Sequence, residues 1–247
     1  MKLTVVGCGD AFGSGGRLQT CFHVEAGGSR FLIDCGATAL IGLQRLSLDP
    51  NGIDTIFISH LHGDHFAGLI WWLLHAHHVS RRATPLTVAG PRGVAERFDM
   101  AAEALFPGAT KMAPRYELKF VELEAGTKVS FGPIGVVPLT VSHPSGAPSF
   151  ALRLSVGSKT LGFSGDTEWV ETLTQCADGA DLFVCECYGY EKAVPYHMTW
   201  RTIEGNIQRL RANRILLTHM SNEMLANLVS VNHPKVLIAE DGLSLQI

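Results

Sequence analysis

The chain has 247 residues, of which 46% are hydrophobic and 17% are charged, and its net charge is −3 with histidine counted as neutral. This composition excludes an intrinsically disordered protein, and the small negative charge excludes the global positive field of many nucleic-acid-binding proteins. We expect one large domain over residues 1–247, because a chain of this length buries roughly 70–75% of its unfolded surface.

The pattern of apolar residues predicts alternating strands and helices along the whole chain. In the first half, strands are predicted at 3–6, 21–25, 30–33, 55–59 and 86–89, and helices at 65–79 and 93–105. In the second half, strands and turns are predicted over 118–163, then strands at 182–186, 214–218, 236–238 and 243–247 and helices at 202–211 and 221–229. Two apolar strands end in a histidine, His60 and His219, which suggests two related halves with ligands at strand ends.

The cysteines and the apolar segments indicate the cellular setting. Six cysteines are too few for a disulfide scaffold, and Cys185 and Cys187 lie in an apolar segment where buried thiols are expected. The apolar segment at the N-terminus is shorter than a signal-peptide core, and the longest apolar stretch, 69–74, is far shorter than the roughly 20 residues of a membrane span. We therefore expect a cytoplasmic protein that does not enter a membrane.

The strongest chemical signal is the segment 59–65, Ser-His-Leu-His-Gly-Asp-His, which follows a predicted strand. It contains four potential metal ligands, His60, His62, Asp64 and His65. In an extended segment His60 and His62 point the same way, because side chains alternate along a strand. Imidazoles and carboxylates are ligands that Zn²⁺ accepts, and a catalytic site keeps one position open. The segment therefore predicts a catalytic metal site.

This His-x-His-x-Asp-His motif after a strand resembles the signature of the metallo-β-lactamase fold superfamily. The remaining ligands of that signature can be found in order along the chain as His143, Asp166 and His219. The resemblance implies an α+β fold, a four-layer αβ/βα sandwich with two mixed β-sheets and helices on the outer faces. It also implies two metal ions with seven ligands: His60, His62 and His143 on one ion, Asp64, His65 and His219 on the other, and Asp166 on both.

Within the superfamily, the chain resembles the ribonuclease Z and phosphodiesterase branch. The opening Gly-Cys-Gly-Asp-Ala-Phe at 7–12 and the segment 143–154 carry this resemblance. Asp34 matches an acidic residue of the branch that supports the ligands without being one. His197 is similar to a histidine that protonates the leaving group in this branch, although Met198 replaces the small polar residue usual there.

The chain also departs from ribonuclease Z. Only 22 residues separate His143 from Asp166, the interval in which ribonuclease Z carries its long tRNA-binding arm. The resemblance therefore implies a short form without that arm, for which tRNA is not an expected substrate.

These features together predict a metal-dependent hydrolase. Two zinc ions, or alternatively manganese or iron, would hold a bridging hydroxide that attacks a phosphodiester, with Asp64 orienting the hydroxide and His197 acting as general acid. The expected substrate is a small or cyclic nucleotide or an RNA end. Two alternatives stay open: a carboxyl-ester or lactone hydrolase with the same metal pair, and a non-catalytic member that binds RNA or protein.

Other histidines and aromatic residues have plainer interpretations. His75, His77 and His78 lie near the end of a predicted helix, where we expect them to be exposed and to interact favourably with the helix C-terminus. Trp71 and Trp72 are expected in the core or at the face of a homodimer, with a nucleobase platform as a further alternative.

Overall fold

The computed structural model describes residues 1–247, and its strands form two seven-stranded sheets. In chain order the strands are β1 Lys2–Gly7, β2 Cys21–Ala26, β3 Ser29–Ile33, β4 Thr55–Phe57, β5 Leu86–Gly90, β6 Leu118–Glu122, β7 Val129–Phe131, β8 Ile134–Thr140, β9 Phe150–Val156, β10 Lys159–Phe163, β11 Leu182–Glu186, β12 Ile215–Thr218, β13 Val236–Ile238 and β14 Ser244–Gln246. The helices are α1 Ala39–Arg45, α2 Gly63–Phe66, α3 Gly68–His78, α4 Val94–Leu105, α5 Thr172–Ala177, α6 Trp200–Asn206 and α7 Asn222–Ala226. Single 3-10 turns occur at Ser14–Gly16, Pro50–Gly52, Ala109–Lys111 and Leu228–Ser230.

The two sheets repeat one arrangement of strands. The first has the order β14-β1-β2-β3-β4-β5-β6 and the second β7-β8-β9-β10-β11-β12-β13. In each, the first three pairings are antiparallel and the next three are parallel. The chain therefore does contain two similar halves. However, the two strands that end in a histidine are not equivalent, because His60 follows the fifth strand of its sheet and His219 the sixth.

Packing of these elements gives four layers. Apolar side chains of both sheets form a buried interior, in which Phe22 and Phe163 from opposite sheets meet edge to face with ring centres 5.7 Å apart. Helices α1, α3 and α4 cover the outer face of the first sheet, and α5, α6 and α7 cover that of the second. This αβ/βα sandwich with two mixed sheets is the fold that the resemblance implied.

The structure corrects several predicted boundaries. The strand predicted at 55–59 ends at Phe57, and the helix predicted at 65–79 is divided at Ala67 into α2 and α3. The helix predicted at 202–211 begins at Trp200, because the hydroxyl of Thr199 accepts a hydrogen bond from the backbone N–H of Thr202 and caps it. Helices α1 and α5 were not predicted.

The cysteines lie in the interior of the protein, as the apolar segments around them predicted. All six cysteines are buried free thiols, including Cys185 and Cys187. Burial raises the pKa of the Cys176 thiol to about 12, so this side chain behaves as a small apolar group. None of the helices combines the length and apolarity that crossing a bilayer requires.

One buried cation ties together the segments that lead into β4 and β5. Arg82 is 1% exposed, and its guanidinium donates to the backbone carbonyls of Pro50, Ile53, Thr84 and Pro85 at 2.7–3.0 Å. A guanidinium can satisfy all four, because it carries five N–H donors in one plane. Since β4 leads directly to His60, this cluster also supports the functional edge of the first sheet.

Replacing Arg82 by methionine is expected to lower the free energy of unfolding by about 3 kcal/mol, because four backbone carbonyls, one of them fully buried, lose a hydrogen bond to a charged donor. Urea unfolding of the variant measures this loss. The matched control is Arg81→Met, in which the neighbouring exposed arginine is changed, and a shift within about 0.5 kcal/mol is expected there. Equal stability of the two variants would contradict a structural role for Arg82.

Candidate metal centre

Loops that follow strands of both sheets bring the seven predicted ligands to one place. His60 follows β4, and the next three ligands lie around the start of α2, while His143, Asp166 and His219 follow β8, β10 and β12. Their ligand atoms form two groups, in each of which all atoms lie within 4.8 Å of one another. The groups are His60, His62 and His143, and Asp64, His65, Asp166 and His219.

The carboxylate of Asp166 lies between the two groups. Its Oδ2 atom is 3.8 Å from Nε2 of His60 and 4.0 Å from Nε2 of His143 on one side. On the other side it is 3.2 Å from Nε2 of both His65 and His219. A single oxygen thus reaches both groups, which is the position that a bridging ligand needs.

Asp34 determines which nitrogens of two histidines carry a proton. Its Oδ2 accepts hydrogen bonds from Nδ1 of His65 at 2.6 Å and from the hydroxyl of Ser59 at 2.7 Å. Because that hydroxyl donates to Asp34, its oxygen accepts from Nδ1 of His60 at 3.0 Å. In the neutral rings of His60 and His65, Nε2 therefore presents a lone pair to the cluster, an arrangement typical of metal-binding histidines.

His143 is oriented in the same manner. Its Nδ1 donates to the backbone carbonyl of Tyr196 at 3.1 Å, which turns Nε2 towards Nδ1 of His62 at 3.0 Å. Burial lowers the pKa of His143 to about 4, which favours the neutral imidazole that binds metals. Tyr196 holds this position with φ at +65°, a conformation that a non-glycine residue adopts at a cost.

The donor set fits divalent metal ions. The Nε2 atoms of His65 and His219 face the carboxylate oxygens of Asp64 and Asp166, and the buried Nε2 of His60 has no partner in the protein. Burial disfavours a charged His219, yet Asp166 and Asp64 raise its pKa to about 9. The cluster therefore attracts positive charge, and a cation between these groups would satisfy all of them. Five imidazoles and two carboxylates are a set suited to zinc and similar divalent ions.

His197 lies beside the two groups and contacts both. Its ring centre is 5.0 Å from that of His143 and 5.6 Å from that of His219, with which it stacks. It could join either of two smaller ligand groups, one with His143 and Asp166 and one with Glu186 and His219. Metal analysis of a His197 variant therefore separates a ligand from a proton donor.

Glu186 is a residue of the site that the sequence pattern did not reveal. It is 1% exposed at the end of β11, and its Oε1 accepts from Nδ1 of His197 at 3.1 Å and from the backbone N–H of Thr167 at 2.6 Å. Burial raises the pKa of Glu186. Burial alone would lower the pKa of His197, but its hydrogen bond to Glu186 and the charges of Glu186 and Asp166 together raise it. The sequence did contain one indication: Glu186 is a charged residue inside an apolar strand, and such residues are rarely buried without a partner.

A second supporting carboxylate comes from the C-terminal segment. Asp241 accepts hydrogen bonds from the backbone N–H and the thiol of Cys8 through Oδ1 and from the N–H of Leu18 through Oδ2. The carbonyl of Cys8 in turn accepts the backbone N–H of His219 at 3.0 Å. His219 itself has φ at +57°, so its strained backbone is held by this connection.

Replacing Asp241 by asparagine is expected to lower metal affinity about 10- to 100-fold, the range for residues that orient ligands. Asparagine offers one acceptor oxygen where Cys8 and Leu18 need two. Metal retained after dialysis against a graded metal buffer measures the effect. Glu240→Gln, at the exposed neighbouring position, is the matched control. Unchanged retention in Asp241→Asn would refute a connection to His219.

The remaining histidines and tryptophans stay outside the cluster. His75, His77 and His78 lie in the last turn of α3, and none of them belongs to a group that could hold a metal. Trp72 is buried in the core, and Trp71 is partly buried and packs edge to face on Phe106.

Comparison with known proteins identifies the family. Residues 1–237 match the family model of the anti-Pycsar protein Apyc1. An uncharacterized protein of Mycobacterium tuberculosis is 31% identical over 89% of this chain and 81% of its own length. Ribonuclease Z of Clostridium acetobutylicum is 26% identical over 90% of this chain and 88% of its own length. The crystal structure of YhfI, a metallo-β-lactamase fold protein of Bacillus subtilis, covers 99% of both chains with a TM-score of 0.78 at 23% identity.

These matches confirm the resemblance to the metallo-β-lactamase fold superfamily and to its ribonuclease Z-like branch. They also agree with a cluster of histidine and aspartate side chains that can hold a divalent metal. We conclude that the chain belongs to the anti-Pycsar protein Apyc1 family and is a metal-dependent hydrolase.

Proposed function

We propose that the chain is a phosphodiesterase with two zinc ions that acts on small or cyclic nucleotides or on RNA ends. The position of Asp166 carries this proposal, because its Oδ2 lies within 4.0 Å of histidine nitrogens from both ligand groups. A pair of divalent ions is a recurrent solution for phosphodiester hydrolysis. This substrate class is supported by similarity to a ribonuclease Z in sequence and to a diphosphatase of the PhnP family in structure.

The proposed ligands come from both sheets. His60, His62 and His143 would hold one ion, Asp64, His65 and His219 the other, and Asp166 both. Because β4 belongs to one sheet and β8, β10 and β12 to the other, neither half can form the site alone. We therefore also propose that residues 1–247 act as a single domain.

The bound ions would activate the attacking water and neutralise the charge of the phosphate. The chain's own groups would orient and transfer protons. Oδ2 of Asp64, which faces His65 and His219 at 3.3 and 3.1 Å, is placed to accept a hydrogen bond from that water. His197, held through Nδ1 by Glu186, has Nε2 free to donate a proton to the oxygen of the departing alcohol.

The free thiols favour a reducing cellular compartment. All six cysteines are unpaired, and free thiols persist in compartments kept reducing by glutathione and thioredoxin. A cytoplasmic location is therefore part of the proposal.

The segment between His143 and Asp166 argues against tRNA as the substrate. It contains only a short loop and the hairpin of β9 and β10, whose strands are joined by Gly157 and Ser158. The alignment with the Clostridium acetobutylicum enzyme spans 281 positions, more than the 247 residues of this chain, so that relative carries insertions that are lacking here. A net charge of −3 offers no compensating attraction for RNA.

A substrate panel tests the proposal. With zinc-loaded protein, we expect hydrolysis of bis(p-nitrophenyl) phosphate and of cyclic nucleotides, and little hydrolysis of p-nitrophenyl acetate, a lactone or precursor tRNA. A chelator should abolish the activity and added zinc should restore it. A preference for the carboxyl ester or the lactone would replace the phosphodiesterase assignment. Efficient 3′-end processing of precursor tRNA would contradict the proposed preference for small substrates. Inactivity on every compound of the panel would support a role in binding.

A further inference from the structure

A cavity of about 410 Å³ lies on the surface next to Tyr188, and none of the proposed metal ligands lines it. Its walls include two aromatic rings, Phe12 from the turn after β1 and Tyr188 from the loop after β11. A cavity of this volume lies in the range typical of small-molecule sites.

Tyr188 joins this cavity to the metal centre. Its ring centre is 4.8 Å from that of His197 and 6.2 Å from that of His219, and the planes of Tyr188 and His197 differ by only 30°. A flat group stacked in the cavity would therefore sit one ring away from the proposed acid and from one proposed ligand.

Phe12 is held in an exposed position by a fixed turn. Its side chain is 82% exposed, although the turn that carries it is tightly bonded. The buried carboxylate of Asp10 accepts the backbone N–H groups of Phe12 and Ser14 and the hydroxyl of Ser14. The N–H of Gly15 donates to the side-chain oxygen of Asn222 at 3.1 Å, which ties the turn to α7. The exposed ring is thus presented beside the cavity by a rigid support.

Two of the polar side chains around the rings offer unused donors. Lys192 has no ion-pair partner, and the amide N–H groups of Asn222 make no hydrogen bond within the protein. The carboxylate of Glu223 is already engaged by the backbone N–H groups of Tyr190 and Glu191. The free groups therefore suit a flat ring with carbonyl or ring-nitrogen acceptors on its edge, as nucleobases have.

We propose that the cavity between Phe12 and Tyr188 binds the nucleobase of a nucleotide phosphodiester, so that the base stacks on the aromatic rings while the phosphate reaches the histidine and aspartate cluster. This inference rests on the proposed function and deepens it, because it names the part of the substrate that provides recognition. Stacking on an aromatic side chain tolerates every base, since each has a π face.

Two esters with the same leaving group test the proposal. Thymidine 5′-(p-nitrophenyl phosphate) carries a base, and methyl p-nitrophenyl phosphate does not. We expect Phe12→Ala to lower the ratio of kcat/KM for the thymidine ester to that for the methyl ester by about 10- to 100-fold, mainly through KM. Phe12→Tyr, which keeps the ring, should preserve the ratio. Val229→Ala, at a residue 93% exposed elsewhere on the surface, is the matched control.

A binding measurement separates this proposal from the proposed function. Fluorescence of 1,N6-ethenoadenosine monophosphate should report binding to the wild-type protein and a dissociation constant raised by a similar factor in Phe12→Ala. A ratio and a dissociation constant within twofold of the wild type would overturn the nucleobase site while leaving the phosphodiesterase standing. Binding that depends on Phe12, without cleavage of either ester, would instead refute the phosphodiesterase and retain the site.

Discussion

Replacing Asp166 by alanine is expected to remove metal and activity together. Its Oδ2 lies within 4.0 Å of histidine nitrogens from both groups, so its loss would weaken both metal positions at once. We expect metal content to fall from about two ions per chain and phosphodiesterase activity to fall by more than about 100-fold, the upper range for residues that only support a ligand. Elemental analysis of protein purified without chelator, together with kinetics, measures both effects.

Two further variants make this result specific. Asp166→Asn keeps the volume of the side chain but removes its charge, so it should also lose metal if charge is what holds the two ions together. Asp178→Ala makes the same substitution as Asp166→Ala at an exposed aspartate that pairs with Arg211, and it should retain metal and activity. Full metal content in Asp166→Ala, or a wild-type protein with a single ion remote from His219, would contradict the dinuclear centre.

The seven side chains that the sequence proposed as ligands lie together in the structure, and the positions of four of them are encoded locally. The segment 59–65 brings four of them together through strand and helix geometry alone, as α2 begins at Gly63. The other three follow apolar strands, and the ends of strands in one sheet lie along a common edge. Asp34 was assigned from the resemblance to the ribonuclease Z branch, and its contacts with Ser59 and His65 agree with a supporting role.

Contacts between distant segments could not be predicted in this manner. Asp241 lies 233 residues from Cys8, and no local pattern joins them. Glu186 was hidden inside an apolar strand, where its neighbours indicated only burial. Phe12 was part of the resemblance, but its exposure depends on Asp10 and Asn222, which meet only in the folded chain. Local pattern and the family resemblance thus indicated the residues of the cluster, whereas the groups that orient them depend on tertiary structure.

The boundary between helices α2 and α3 also depends on a contact between distant segments and not on local pattern. The apolar residues of 65–79 continue through Ala67, so the pattern alone does not indicate a division there. The division occurs where Gly68 packs against the loop after β3: a Cβ at this position would come within 2.2 Å of the carbonyl of Gly36. A close approach between segments 32 residues apart therefore sets the end of a short helix.

Replacing His197 by alanine is expected to leave the metals in place and to lower kcat by about 10²- to 10⁴-fold, the range for losing a positioned general acid. The loss should be largest for substrates whose leaving group is an ordinary alcohol, because an alkoxide needs a proton. It should shrink for esters of p-nitrophenol, whose anion leaves without one. Kinetics on a nucleotide diester and on its p-nitrophenyl analogue, with metal analysis of the same samples, measure this difference.

The partner of His197 provides the control for this assignment. Glu186→Gln keeps a side chain of the same size beside Nδ1 of His197 but removes the charge that stabilises its protonated form. If His197 is the acid and Glu186 positions it, this variant should show the same dependence on leaving group as His197→Ala, with a smaller loss and with both metals retained. Loss of metal in His197→Ala would make His197 a ligand, as its distance to His143 and Asp166 allows. An equal loss on good and poor leaving groups would make it a structural residue, since only a proton donor discriminates between them.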